Sequence, residues 1–200
     1  MKDTKTAFVT FFPIIPNNMG SSTVVNERFN SWPKKKKLFQ ISHLKKTNNN
    51  KIKTIFINKE NPLFKIASLP KMIYEIYLYL KNSKKKILII EGASWIFYSF
   101  IVFLFLKFIF KDLITIYMSH SIESEIRKKY SNKIIFNITH YFENYIFNKV
   151  NFATTVSNQE RKKIRRLYKI NTILFPNSVE IKKKIGKRAI NCKYILYSGS

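Results

Sequence analysis

The segment Ser119-His120-Ser121-Ile122-Glu123 places an imidazole between two hydroxyls and a carboxylate, directly after the apolar run 113–118. An imidazole titrates near neutrality and can accept or donate a proton. At the carboxyl end of a strand it is placed to hydrogen-bond a ligand, which makes His120 the candidate catalytic residue and Ser119 and Glu123 candidate substrate-binding residues. Glu123 and Glu125 also suit the positive first turn of a helix without any functional role. A second place is the loop 13–22, where Gly20 leads into Ser21 and Ser22 at a helix start. Free backbone N–H groups there can receive a phosphate or a sugar hydroxyl, so Gly20 and Ser21 are candidate binding residues. A third is Ser157-Asn158-Gln159-Glu160, which has the S-x-x-E spacing of a capping box. The box accounts for Ser157 structurally; its position after a strand also makes it a candidate binding residue. The helix it opens carries Arg161, Lys162, Lys163, Arg165 and Arg166, either a solvated basic face or a surface for anionic lipid or phosphate. A fourth is Phe175-Pro176-Asn177-Ser178, where the chain turns out of the unit, with Asn177 as the candidate residue. His43 and His140 have weaker claims, and the mid-helix His140 is expected at the surface.

These positions need strand ends and helix starts to hold them. Short apolar runs at 7–12, 38–41, 52–57, 87–90, 113–118, 152–156 and 172–175 read as strands, 182–188 reads as a basic linker, and 194–197 begins one more strand. The continuous run Ile87-Leu88-Ile89-Ile90 suits a parallel strand covered on both faces, ended by Glu91-Gly92. Helical spacing falls between the strands, over about 21–32, 62–80, 95–110, 121–130, 134–145 and 158–168. The stretch 45–50 is polar and aperiodic, a loop. Strands alternating with helices predict an α/β fold, a doubly wound parallel sheet with right-handed crossovers and helices on both faces. The segment 95–110 is apolar apart from Lys107. It is shorter than the roughly 20 residues a membrane span needs, and its position between two buried strands favours a crossover helix.

Composition narrows the function classes. Two hundred residues suffice for one domain with a sizeable core, and the hydrophobic fraction of 46% argues against disorder. The chain carries 37 Lys and Arg against 11 acids, a net +26. Such a surplus draws a domain toward anionic surfaces. Much of it is lysine, in a chain rich in Asn and Ile and poor in Gly, the bias an A+T-rich coding sequence gives to any protein. A lone Cys192 can form no intrachain disulfide and no cysteine metal cluster, which fits a reducing cytosol. No G-x-G-x-x-G fingerprint follows the first strand, which disfavours a nicotinamide or flavin cofactor. No helix-turn-helix, zinc site or aromatic-bearing antiparallel sheet is evident, which disfavours specific nucleic-acid binding.

In order along the chain, five segments resemble family 4 glycosyltransferases of the GT-B fold. They are Phe8 to Gly20, the strand ending in His120-Ser121-Ile122-Glu123, the segment Val150 to Glu160, the corner Pro176-Asn177-Ser178-Val179, and Tyr194 to Ser200. Together they cover most of the chain. The resemblance implies that residues 1–190 form the Rossmann-like, acceptor-side N-terminal domain and that 191–200 begin a nucleotide-sugar-binding domain. It implies sugar transfer from a nucleotide-sugar donor to a glycan or lipid-linked acceptor in cell-envelope polysaccharide synthesis, with retention of configuration, and no metal or other cofactor. On it, the Gly20 loop would line the cleft, His120 would touch the transferred sugar or the acceptor, and Asn177 would mark the inter-domain hinge. Ser178 stands where the family usually has Gly, and one glycine marks the first loop where two are common. The donor domain's basic residue and glutamate pair are absent from these residues, so the chain is expected to be inactive alone. The implied location is cytoplasmic, with a peripheral contact to an anionic membrane. The competing readings are a non-catalytic remnant of such an enzyme, a basic membrane- or nucleic-acid-binding module, and a protein inserted through 95–110.

Overall fold

The computed structural model describes residues 3–15, 20–33, 35–44 and 49–177. Segments 182–188 and 194–197, expected as linker and strand, lie outside the described residues. Among the described residues seven strands form one sheet: β1 (Thr4–Thr10), β2 (Lys35–Ser42), β3 (Ile52–Phe56), β4 (Lys85–Gly92), β5 (Ile114–Ser119), β6 (Phe152–Thr155) and β7 (Ile173–Leu174). All neighbours are parallel, in the order β3-β2-β1-β4-β5-β6-β7. The helices are α1 (Gly20–Ser31), α2 (Pro62–Leu80), α3 (Ile96–Ile109), α4 (Glu123–Tyr130), α5 (Lys133–Lys149) and α6 (Asn158–Tyr168). The predicted doubly wound α/β fold is the fold observed.

Local signals set several of the boundaries. Asn61 accepts from the Leu63 N–H at 2.9 Å and Pro62 occupies the first helical turn of α2, where its missing N–H costs nothing. Asn132 opens α5 in the same way, accepting from Ile135 N–H at 2.9 Å. Ser157 Oγ accepts from the Glu160 N–H at 3.2 Å, so that half of the capping box is made. Helix α4 starts two residues later than expected, because Ser121 and Ile122 complete the turn out of β5. Glu91 and Gly92 belong to β4 rather than ending it, paired with Met118 and Ser119 of β5.

The two faces of the sheet are covered unequally. One packs Ala7, Val9, Leu88, Ile90 and Tyr117 against α2, α3, α5 and α6. The other packs Phe8, Leu38, Ile87 and Ile89 against Val25 and Phe29 of α1. Alternation along β4 sends Leu88 and Ile90 to the first core and Ile87 and Ile89 to the second, and it carries Glu91 to the α1 side. The 14-residue α3 is a crossover helix between β4 and β5. Among the described residues no helix is long and apolar enough to cross a membrane.

Gly92 sits where β4 passes the ring of fully buried Tyr117. A Cβ there would collide with Tyr117 Oη, come within 2.6 Å of its Cζ and reach 3.0 Å from the Met118 carbonyl oxygen. Neither neighbour has room to withdraw, so Gly92→Ala is expected to destabilise the fold by about 1–3 kcal/mol, the usual range for overpacking. Urea denaturation of the two proteins checks this, and an unchanged midpoint would refute the packing.

Candidate functional site

The chain order reverses between β1 and β4: β1 leads outward to β2, and β3 returns across to β4. In an open parallel sheet the crevice beyond the strand ends at such a point is the ordinary ligand site. A cleft of about 350 Å³ lies there. Ser21 of α1, Gly92 to Trp95 after β4, His120 and Ser121 after β5, and Glu123 and Arg127 of α4 line it.

Beneath the cleft three charged or titratable side chains meet. The Glu91 carboxylate is 0% exposed. Its Oε2 accepts from Arg28 Nη1 at 2.6 Å and lies 2.8 Å from His120 Nε2. Burying a carboxylate is costly unless it is paired and hydrogen-bonded, and the guanidinium and imidazole supply both. A carboxylate only accepts, so the imidazole carries its proton on Nε2. In the neutral ring Nδ1 is then a lone-pair acceptor available to a ligand hydroxyl. Glu91 Oε1 is buried and has no partner among the described residues, and a ligand hydroxyl or an ordered water would satisfy it. Arg28 also reaches Asn177 Oδ1 at 3.5 Å, and its guanidinium stacks 5.1 Å from the Phe175 ring centroid.

A second set of carboxylates holds the cleft wall. Trp95 starts α3 with no side-chain cap of its own. Glu123 supplies one from α4, its Oε2 accepting from the Ile96 N–H at 2.6 Å, while Oε1 takes Arg127 Nε at 3.1 Å and Nη2 at 2.9 Å. Burial pushes the Glu123 carboxyl above its ordinary range, and the Arg127 and Ile96 bonds oppose the shift. Helix α4 is itself uncapped at Ile122. Glu143 of α5, fully buried, caps it: Oε1 accepts from the Glu123 N–H at 2.7 Å and Oε2 from the Ser124 N–H at 3.1 Å. Tyr168 of α6 donates to the same Oε2 at 2.5 Å.

The residues singled out in the sequence separate on this geometry. His120, Ser21 and Glu123 line the cleft, but both Glu123 oxygens are already engaged. Ser119 is buried and donates to the Ser121 carbonyl at 3.1 Å. Gly20 is the first residue of α1, exposed, with open space around its Cβ position and no positive φ, so nothing local requires glycine there. Ser22, its neighbour, is buried and donates to the Pro13 carbonyl at 2.8 Å, which fixes the turn out of β1. The Ser157 hydroxyl is occupied by the α6 cap. Asn177 reaches the cluster through Arg28. His140 is not a surface residue: it is half-buried, stacked on Phe136, with Nδ1 3.3 Å from Tyr168 Oη. Its helix turns that edge toward α6, which the spacing within α5 does not reveal.

Sequence reasoning missed Arg28, Glu91, Trp95 and Arg127. Two of them left a signal. Glu91 is a charged residue closing a continuous apolar parallel strand, where it must be buried and paired. Arg28 falls in the stripe Val24, Val25, Arg28, Phe29 that α1 turns inward. Among the described residues no group of three or more His, Cys, Asp or Glu could hold a metal ion.

No protein-family model matches this sequence, and no curated protein matches it. Solved structures do. Sucrose-phosphate synthase from Thermosynechococcus elongatus aligns with a TM-score of 0.59 at 15% identity, over 86% of this chain and 48% of that one. A shorter chain of that enzyme aligns with a TM-score of 0.50 at 16% identity, over 86% of this chain and 88% of that one. This chain thus spans about half the length of the longer relative. At such identities the likeness shows the fold: the chain has the Rossmann-like α/β fold of these GT-B-type enzymes.

Proposed function

We propose that this chain is the acceptor-side half of a family 4-type glycosyltransferase. The full enzyme would transfer a sugar, with retention, from a nucleotide-sugar donor to a glycan or lipid-linked acceptor of the cell envelope. The observation that carries the reading is His120, held through Nε2 by the buried Glu91 at the switch-point cleft, with its other ring nitrogen left for a ligand. Ser21, Ser94, Ser121 and Trp95 line the same space, and this combination of hydroxyl-bearing and aromatic residues suits a polyhydroxylated ring. Arg127 offers a cation at the wall for a phosphate. The fold likeness supports a sugar-nucleotide enzyme, and the half-length match supports a donor-binding half supplied by sequence outside these residues.

In this reading Asn177 stands at the hinge between the halves, in contact with Arg28, so the last described turn is tied to the cluster beneath the cleft. Chemistry requires stabilisation of a developing oxocarbenium-like centre and of the leaving diphosphate, and the donor half provides the latter. The chain alone is therefore expected to show no transfer and no donor hydrolysis.

The test is sugar transfer by a protein that joins this chain to its donor-binding half, assayed over a panel of nucleotide sugars. His120→Ala is expected to lower kcat by about a hundredfold or more, the lower range for a positioned group that acts on the transition state. Its thermal stability is compared in parallel to separate chemistry from folding. Full turnover in a folded His120→Ala protein would remove His120 from the mechanism. No turnover with any donor in the wild type would favour a non-catalytic remnant.

A further inference from the structure

The outer side of the α2–α3–α5 layer does not look like a solvent face. A helix packed on a sheet ordinarily turns polar residues outward. Helix α3 turns outward Leu104, Phe105, Phe108 and Ile109, with Phe108 83% exposed. Between α2 and α3 runs a groove of about 520 Å³ walled by Ile66, Ile73, Tyr77, Ile101, Phe105 and Ile109, with no charged residue in its lining. On the other side of α3, helix α5 adds exposed Ile134, Ile138 and Tyr141. A contiguous apolar area of this kind marks a contact with something apolar.

The charges around it select the occupant. Residues 62–113 carry eight lysines and three acids. Of the acids, Glu91 is buried under the cleft, Glu75 pairs with Lys53 at 2.8 Å, and Asp112 pairs with Lys86 at 3.0 Å. Lys71, Lys81 and Lys111 are exposed in the same segment. A second copy of the chain would bring together two like-charged faces, each on a body of net +26. An anionic leaflet offers the complement: acyl chains for the aromatic and aliphatic side chains, and head groups for lysines whose stems lie along apolar surface. A 14-residue helix is too short to cross that leaflet and its partner, so it meets hydrocarbon from the side.

We propose that this face rests on an anionic membrane, with Phe105, Phe108 and Ile109 at the acyl boundary and the α2–α3 groove taking a lipid hydrocarbon chain. The groove and the candidate cleft adjoin. Trp95 lines the cleft, its ring lies 5.1 Å from that of Phe97, and Phe97 lines the groove. A lipid-linked acceptor could then place its tail in the groove and its head group near His120. That last step rests on the glycosyltransferase reading, while the membrane contact itself does not.

The experiment is vesicle flotation of the purified chain with no donor present. It uses phosphatidylcholine vesicles with and without phosphatidylglycerol, at low and at molar salt. The expected result is binding that needs phosphatidylglycerol at low salt and persists in part at high salt, because inserted side chains are not screened. Phe105→Ser with Phe108→Ser is expected to lower the salt-resistant fraction at least about tenfold, from the apolar area withdrawn from lipid. Arg165→Ser with Arg166→Ser, on the exposed side of α6, is expected to leave that fraction unchanged. Phe108→Trp, at a site that tolerates change, is expected to shift its emission to the blue and to be quenched by brominated acyl chains. Binding wholly abolished by salt and indifferent to the double Phe change, or an unquenched Trp at 108, would overturn the proposal. So would a wild-type dimer that the double Phe change makes monomeric, since the face would then belong to a second copy. Vesicle insertion by this chain, together with no sugar transfer by the protein that joins it to a donor-binding half, would leave this proposal standing and count against the glycosyltransferase reading.

Discussion

Glu91→Ala is expected to destabilise the fold by about 3–5 kcal/mol, the range for breaking a buried ion pair from one side. The alanine leaves the Arg28 guanidinium, itself almost fully buried, with no carboxylate at 2.6 Å and only the distant Asn177 oxygen and the Phe175 ring as partners. It also releases His120 Nε2 from the bond that fixes its ring. Urea denaturation of wild type and variant measures the loss. Arg28→Met combined with Glu91→Leu is expected to recover much of it, because two apolar side chains of similar volume remove both desolvated charges. Under the proposed function, that double variant joined to a donor-binding half should fold and yet remain impaired in sugar transfer, since nothing then orients His120. A single Glu91→Ala protein as stable as wild type would show that the carboxylate is not buried with Arg28. A double variant with full activity would show that Glu91 does not position His120.

The second large effect lies at Glu143. Glu143→Ala strips the cap from α4, leaves the Glu123 and Ser124 N–H groups without an acceptor, and takes the carboxylate from the Tyr168 hydroxyl, which keeps Ser124 Oγ at 2.8 Å and His140 Nδ1 at 3.3 Å. Each buried group so abandoned costs about 1–3 kcal/mol. The loss reaches the cleft wall, because Glu123, the first residue of α4, caps α3. Tyr168 provides a second readout. Burial first, and then the Glu143 charge and its hydrogen bond, raise the Tyr168 phenol well above its ordinary value of 10.0. The raised pKa means that the folded state favours the neutral phenol. Its contribution to stability is complete below the ordinary tyrosine pKa and is lost as the pH rises above it. Glu143→Gln is therefore expected to bring the Tyr168 titration down toward the ordinary value, read by tyrosinate absorbance against a Tyr168→Phe control. An unchanged alkaline titration would mean that the carboxylate does not face the phenol.

Composition and pattern determined a good deal of this protein. The alternation of apolar runs with helical spacing was enough for seven parallel strands and their crossovers, because a strand covered on both faces must be apolar throughout and a helix packed on it must show a stripe. The cap at Ser157 was equally legible from its S-x-x-E spacing, whereas those at Asn61 and Asn132 came from the structure. His120 was legible too, since a histidine placed just past an apolar strand lands at the sheet's ligand edge.

What only the tertiary structure decided is the company His120 keeps. Strand order is not encoded locally, and it is the return of β4 to the far side of β1 that brings Glu91 between Arg28 and His120, 63 and 29 residues away. The carboxylate caps from α4 onto α3 and from α5 onto α4 are likewise contacts across helices, invisible to a reading that offered Glu123 as a binding residue or as a partner of its own helix dipole. Gly20 and Gly92 make the same point from opposite sides. The glycine that drew attention by its place before a helix has open space around it, whereas the one in the strand is required, because only the packed fold sets the Tyr117 ring against it.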